Sequence, residues 1–420
     1  MSGLFSWDAW ATVWNHRESF LLGLGNTLMT AFFALALAFA IGAAIGLMAT
    51  SGKKPLKFIA RVYVEFIQNT PLLLQLCFLY YALAFAGLSL GVIRTGIIAL
   101  GVYTGAYMGE VVRAAIEAVP KGQFEAAQAQ GFNYLQRMGY IILPQSIPVM
   151  LPPMVNQVVN LFKNTSCLYI VGGADLISVT YSFVTGASTG GAYAPAYIVC
   201  GLILGSLLAL ARTYCKKGPA RILGWLSAAY IELFRNTPYL LWIFVCVVFC
   251  PCPSFFARTM FGLTSVEMKL LFKAALALIL FNSSVIAEIV RGGLNGVAKG
   301  QFEAGYAQGF NTAEVLLYII LPQAYRNIIP TLLSQVITTI KDSSYLANVA
   351  TIELMARIRQ LLSAAGTYNG LGTVNVSDVM VLFGTACVIY FVINFTLSCI
   401  VRSMQARQKK AVVFAPAKAA

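Results

Sequence analysis

Phe20 to Thr50 is a run of 31 residues without a single charge. A helix needs about 20 apolar residues to cross the hydrocarbon core of a bilayer. The run exceeds that, and it reads as a membrane span rather than a signal peptide. It is too long, and Asp8, His16, Arg17 and Glu18 ahead of it do not form a basic leader. Further apolar runs lie at 70–93, 95–109, 141–162, 193–211, 236–257, 274–287, 315–340 and 379–401. Those at 95–109 and 274–287 span only if their helices continue to Arg113 and Arg291. Only 10% of the chain is charged, against about 25% in a soluble domain. The expected fold is an all-α polytopic membrane protein with about nine transmembrane helices.

The formal charge of +14 would point to nucleic acid in a soluble protein. Here the basic residues cluster just beyond apolar runs: Lys53, Lys54, Lys57 and Arg61; Arg212, Lys216, Lys217 and Arg221; Arg402, Arg407, Lys409 and Lys410. An excess of Lys and Arg marks cytoplasmic loops, so the expected partner is the lipid bilayer and not nucleic acid. Most of the nine cysteines sit within apolar runs and act there as small hydrophobes. Cys250-Pro-Cys252 lacks further ligands, so no metal site is expected.

The chain also repeats itself. Glu110–Gln145 aligns with Glu288–Gln323 without a gap, and 21 of 36 positions are identical. "EFIQNTPLLLQ" (65–75) matches "ELFRNTPYLLW" (232–242), and "NLFKNTSCLYIV" (160–171) matches "TTIKDSSYLANV" (338–349). Two homologous membrane halves therefore stand in tandem, as parallel repeats about an axis along the membrane normal. Four runs separate the two polar stretches, so both face one side, together with the basic clusters at 53–61 and 212–221. That side is expected to be the cytoplasm, with the N-terminus outside and the C-terminus inside. The second half lacks a separate counterpart of the first run, which gives five helices plus four. The expected division is 1–217 and 218–410, with a junction near Lys216–Pro219 and a cytoplasmic tail at 411–420.

Within each repeat the polar stretch has a fixed spacing. Glu125-Ala126-Ala127 is followed at set intervals by Gly131, Ile141 and Leu143-Pro144. Glu303-Ala304-Gly305, Gly309, Ile319 and Leu321-Pro322 follow the same intervals. This spacing resembles the EAA loop of ABC importer permeases, here at 120–144 and 298–322. "RGGLNGVAKGQFEA" (291–304), "RNTP" (235–238) and "KDSSYL" (341–346) are similar to the polar amino-acid subfamily. The chain departs from that pattern at Gly305, at Asn164 where the second half has Asp342, and in its missing tenth helix. The family usually builds its two permease halves from separate chains, whereas here they are fused.

The resemblance implies an amino-acid importer of the bacterial cytoplasmic (inner) membrane. Glu125, Ala126, Gly131, Glu303, Ala304 and Gly309 would couple it to a separate ATPase dimer. An extracytoplasmic solute-binding protein would deliver the substrate. No G-x-x-x-x-G-K-[ST] occurs, so no catalytic residue and no cofactor is expected in this chain; ATP and magnesium belong to the partner. The alternative is a secondary transporter or channel with internal repeats that works without ATP.

On physical grounds, Gly122 and Gly300 are candidates to break the incoming helix. Gly131 and Gly309 can adopt positive φ. Pro144 and Pro322 suit a first helical turn. Glu110 with Arg113, and Glu288 with Arg291, are three apart and share a helix face; they read either as braced ion pairs or as pathway residues. Lys163, Asn164, Lys341 and Asp342 lie in apolar helices, where ionisable groups are costly; they read either as snorkelling or structurally paired groups or as pathway residues. Asn69-Thr70-Pro71 and Asn236-Thr237-Pro238 should interrupt their helices, which leaves Thr70 and Thr237 as either packing or pathway residues.

Overall fold

The computed structural model describes residues 11, 13–173, 175–185, 221–255, 258–259, 263–349, 354–368 and 373–413. The expected run at 193–211, the junction at Lys216–Pro219, the first ten residues and most of the tail lie outside the described residues. All regular elements described are helical. Two compact units form: Met1–Ala211 with Ile352–Val388, and Arg212–Thr351 with Ile389–Ala420.

In the first unit, α1 (Arg17–Thr50), α2 (Lys54–Asn69), α3 (Leu72–Phe85) and α4 (Gly91–Glu117) are followed by the short α5 (Lys121–Ala129) and α6 (Tyr134–Arg137). A π-helical stretch, Met138–Ile142, leads into α7 (Leu143–Asn164). A 3-10 turn, Thr165–Val171, precedes α8 (Leu176–Thr185). The second unit repeats the order. It has α9 (Arg221–Asn236), α10 (Tyr239–Phe249), α11 (Ser265–Asn295), α12 (Lys299–Ala307), α13 (Thr312–Glu314), π-helical Val315–Ile320, α14 (Leu321–Asp342) and 3-10 Ser343–Val349. Then come α15 (Leu354–Tyr368) and α16 (Val376–Val413).

Five of the described helices are by themselves long and apolar enough to cross a membrane, and seven segments are if each bent pair counts as one span. These seven coincide with seven of the nine expected runs. Run 315–340 is helical but is not among the seven, and 193–211 is not described. The bent pairs are the two Asn-Thr-Pro segments. Between α2 and α3 the chain turns by 101°, and between Ala228–Asn236 and α10 by 108°. A proline disfavours helical geometry in the residue before it. Thr70 is accordingly extended at φ −112, ψ 145, and Pro71 stands as the cap of α3. The predicted interruption is thus a right-angled break.

Leu21, Leu22, Phe32 and Phe33 of α1 point outward and are more than half exposed. So large an apolar surface suits lipid and not water. The opposite face packs on α4 through glycines. A Cβ on Gly42 would meet Met108, and one on Gly46 would meet Val112. In return Gly101, Gly105 and Gly109 receive Leu37, Ile41 and Ile45. Small residues let membrane helices approach closely. The matched positions of α11 are Ile279, Ser283 and Ala287. The three glycines that receive α1 thus have larger residues at the matched positions of the second half.

Candidate functional site

Each polar stretch folds into a short helix joined to the next span by a tight corner. Helix α5 ends at Ala129, and Gly131 follows in the left-handed region at φ +80. Gly131 N–H donates to Gln128 O at 3.0 Å, and Phe132 N–H reaches back to Ala127 O at 3.1 Å. These two bonds are the Schellman pattern that ends a helix on glycine. Helix α12 ends the same way. Gly309 has φ +83, its N–H donates to Tyr306 O at 3.0 Å, and Phe310 N–H donates to Gly305 O at 3.2 Å. Asn133 and Asn311 then cap the following turns, with Gln136 and Glu314 completing the capping boxes.

The incoming helices do not break at Gly122 or Gly300. They stop at Glu117 and Asn295, and both glycines lie inside the short helices that follow. In the first half the break precedes Pro120, whose ring disfavours helical backbone in the residue before it. Ala298 holds the same extended cap position, at φ −60 and ψ 138.

Glu125, Ala126, Glu303 and Ala304 are exposed, while Ala127 and Gly305 turn inward. The third residue of each triplet is thus a packing position. A Cβ on Gly305 would come within 2.8 Å of Val315 and 2.9 Å of Ile319. The first half has Arg137 where the second has Val315. The departure Gly305 therefore goes with a branched neighbour. Beneath α12, Val297, Val315, Ile320 and Ala324 form a small core with Leu294, Phe302 and Ile319 against it.

The two acid–base pairs form, with different company. Arg113 grips Glu110 through two hydrogen bonds, at 3.1 and 2.9 Å, and also reaches Glu117 at 2.8 Å. Arg291 grips Glu288 at 2.9 and 2.7 Å, and Arg235 of α9 approaches the same carboxylate at 3.2 Å. One arginine thus serves two carboxylates in the first half, and one carboxylate serves two arginines in the second. Gln68 and Asn295 stand at the positions that would have made the halves alike.

Thr70 and Thr237 are fully buried. Each hydroxyl donates to a carbonyl four residues back, Phe66 O at 3.0 Å and Leu233 O at 2.6 Å. Each accepts from a side chain five residues on, Gln75 or Trp242, at 2.6 Å. They satisfy backbone released by the helix break. Lys163 and Asn164 close α7, and Lys341 and Asp342 close α14, each just ahead of a 3-10 turn. Ser166 and Ser344 hydroxyls donate to the two lysine carbonyls at 2.8 and 2.7 Å. Lys341 is buried.

One polar centre was not anticipated from the sequence. Asn282 of α11 accepts from Gln335 and Thr339 of α14, each at 2.8 Å. Amide and hydroxyl residues in an apolar helix signal it only once the facing helix is known.

The family model for the binding-protein-dependent transport system inner membrane component matches this chain twice, over residues 36–214 and 201–410. The chain belongs to that family. Its members matched here are about half its length. The probable glutamine ABC transporter permease protein GlnM of Bacillus subtilis is 45% identical over 39% of this chain and 76% of its own length. The glutamine transport system permease protein GlnP of Escherichia coli K12 is 30% identical over 47% of this chain and 94% of its own length. A crystal structure of an amino acid ABC transporter with histidines is 32% identical over 47% of this chain and 91% of that chain, with a TM-score of 0.43. The present permease is therefore a multi-pass membrane protein in which the family's unit occurs twice.

Proposed function

We propose that this chain is a fused transmembrane subunit of an ATP-driven amino-acid importer in a bacterial cytoplasmic membrane. The observation that carries this reading is the pair of exposed helices α5 and α12, alike in sequence and in their glycine corner. Two copies of one surface suit a two-fold partner, because a homodimer offers the same groove twice. An ATPase dimer would dock on Glu125, Ala126, Gly131 and on Glu303, Ala304, Gly309. Its closure on ATP would move both helices and rock the halves, so that a path opens alternately to each side. An extracytoplasmic binding protein would hand over the substrate. Amino acids are the class named for the similar permeases. A zwitterion needs donors and an acceptor, and each half offers its own candidates, Lys163 with Asn164 and Lys341 with Asp342. In this reading residues 1–217 and 218–410 are the two permease halves. The N-terminus lies outside, and 120–144, 298–322 and the C-terminus lie in the cytoplasm.

The test is a paired charge reversal, Glu125→Lys with Glu303→Lys, in membranes from the native host. The parental chain should co-purify with an ATPase, and the variant should insert normally but lose that ATPase or its stimulation by substrate. Transport at the parental rate in the double variant would remove these residues from the coupling surface.

A further inference from the structure

After each coupling helix the chain re-enters its next span through a π-helical stretch, and the reason lies in the proline. Pro144 and Pro322 have no N–H, so the carbonyl four residues earlier loses its usual donor. The backbone shifts to i→i+5 bonding just before it. Leu143 N–H donates to Met138 O, and Leu321 N–H donates to Leu316 O. The residue after each proline is a glutamine. Gln145 Nε2 donates to Ile141 O at 2.8 Å, and Gln323 Nε2 donates to Ile319 O at 2.9 Å. So far the glutamine is a local cap for the irregular turn.

The same amide has a second N–H, and it leaves the helix. Gln145 Nε2 lies 3.4 Å from Gln123 Oε1, and Gln323 Nε2 lies 3.0 Å from Gln301 Oε1. Gln123 and Gln301 sit in α5 and α12 two residues before Glu125 and Glu303, so the bridge and the docking carboxylate leave each short helix on different faces. The bridge recurs in two units that differ below it: Gly305 lies under Val315 in one, and the other has Ala127 and Arg137 at those two positions. All four glutamines are exposed, so burial does not force the contact.

We propose that Gln123–Gln145 and Gln301–Gln323 are positioning residues for energy coupling. Each bridge fastens a coupling helix to the π-helical start of the following span. Displacement at the docking surface then reaches that span rather than being lost in the corner at Gly131 or Gly309. This inference rests on the function proposed above.

The parental complex, with the ATPase that co-purifies with it, is reconstituted beside two variants of the chain. One carries Gln123→Leu and Gln301→Leu, which keeps the local caps and cuts the bridges. The other adds charge pairs: Gln123→Glu with Gln145→Lys, and Gln301→Glu with Gln323→Lys. Hydrogen exchange of 121–129 and 299–307 is measured together with substrate moved per ATP hydrolysed. The leucine variant should melt within about 2 °C of the parent, exchange at least ~5-fold faster in those two segments, and move at least ~5-fold less substrate per ATP. The charge-pair variant should restore both readouts to within about 2-fold. Unchanged exchange in the leucine variant would overturn the bridge. Faster exchange with an unchanged transport ratio would overturn the positioning role. A parental chain that holds no ATPase would strike the proposed function itself, and the inference with it.

Discussion

Arg235 Nη1 lies 3.2 Å from Glu288 Oε2, beside the Arg291 guanidinium that holds the same carboxylate from one helical turn away. Helix α9 is thereby tied to α11, the helix that delivers the second coupling segment. Gln68 cannot make such an ion pair in the first half. Removing one of two guanidiniums leaves Glu288 paired, so Arg235→Gln should cost about 1 kcal/mol or less. Glu288→Gln takes the shared anion from half-buried Arg235 and exposed Arg291 at once, and should cost more, on the order of 1–2 kcal/mol. Thermal unfolding in detergent would order the two variants, and equal losses would contradict this account.

Gly305 and Ala127 should not be interchangeable. Gly305→Ala presses a methyl into Val315 and Ile319, an overpacking worth about 1–3 kcal/mol. Adding Val315→Ala should recover most of it by making room. Ala127→Gly in the first half removes one methyl from a helix and should cost only about 0.5–1 kcal/mol. The stability of the three variants, measured side by side, checks the assignment.

Four glycines of the repeated stretches fall into two kinds. Gly131 and Gly309 hold positive φ, so alanine at either should cost roughly 1–2 kcal/mol of strain. Gly122 and Gly300 are helical with open space where a Cβ would go. Alanine there should be neutral or stabilise by up to about 1 kcal/mol. Melting temperatures of the four single variants would separate the pairs; a uniform loss would contradict the geometry.

Asp342 is the one carboxylate that breaks the match between the lysine segments. As a contact for the substrate amine, it predicts that Asp342→Asn keeps a folded complex with basal ATPase activity. Uptake should fall at least ~10-fold, by amounts that differ among amino acids, as expected when an ion-paired contact worth about 1.4 kcal/mol or more is lost. Competition assays with a panel of amino acids give the readout. Recovery of uptake on adding Lys341→Met would instead make Asp342 a structural partner of that lysine.

Much of this was legible from residues alone, because the signals are local. Apolar runs gave helices, two prolines gave breaks, and the spacing from Glu125 to Pro144 gave a helix, a glycine corner and a re-entering span. Glycine and proline act through their own backbone, so their effect survives without knowledge of neighbours. Even so, Gly122 and Gly300 misled, since helix termination there is set by Pro120 and the cap geometry two residues earlier. What could not be read was partner choice. Arg235 belongs with Glu288, and Asn282 with Gln335 and Thr339, through packing between helices more than 50 residues apart in sequence, and Gly305 lies under Val315 only because the glycine corner folds the chain back. Nor does the repeat foretell that Ile352–Val388 would join the first unit.

That last placement has a consequence for how the protein is made. The Tyr81 and Phe383 rings lie 5.9 Å apart within the first unit, yet about 300 residues of synthesis separate them. At roughly 5–20 residues per second, the earlier ring waits on the order of 15–60 s for the later one. The first unit is therefore unfinished when its early helices leave the ribosome, and the faces that receive α15 and the start of α16 stay open until Ile352–Val388 has been made.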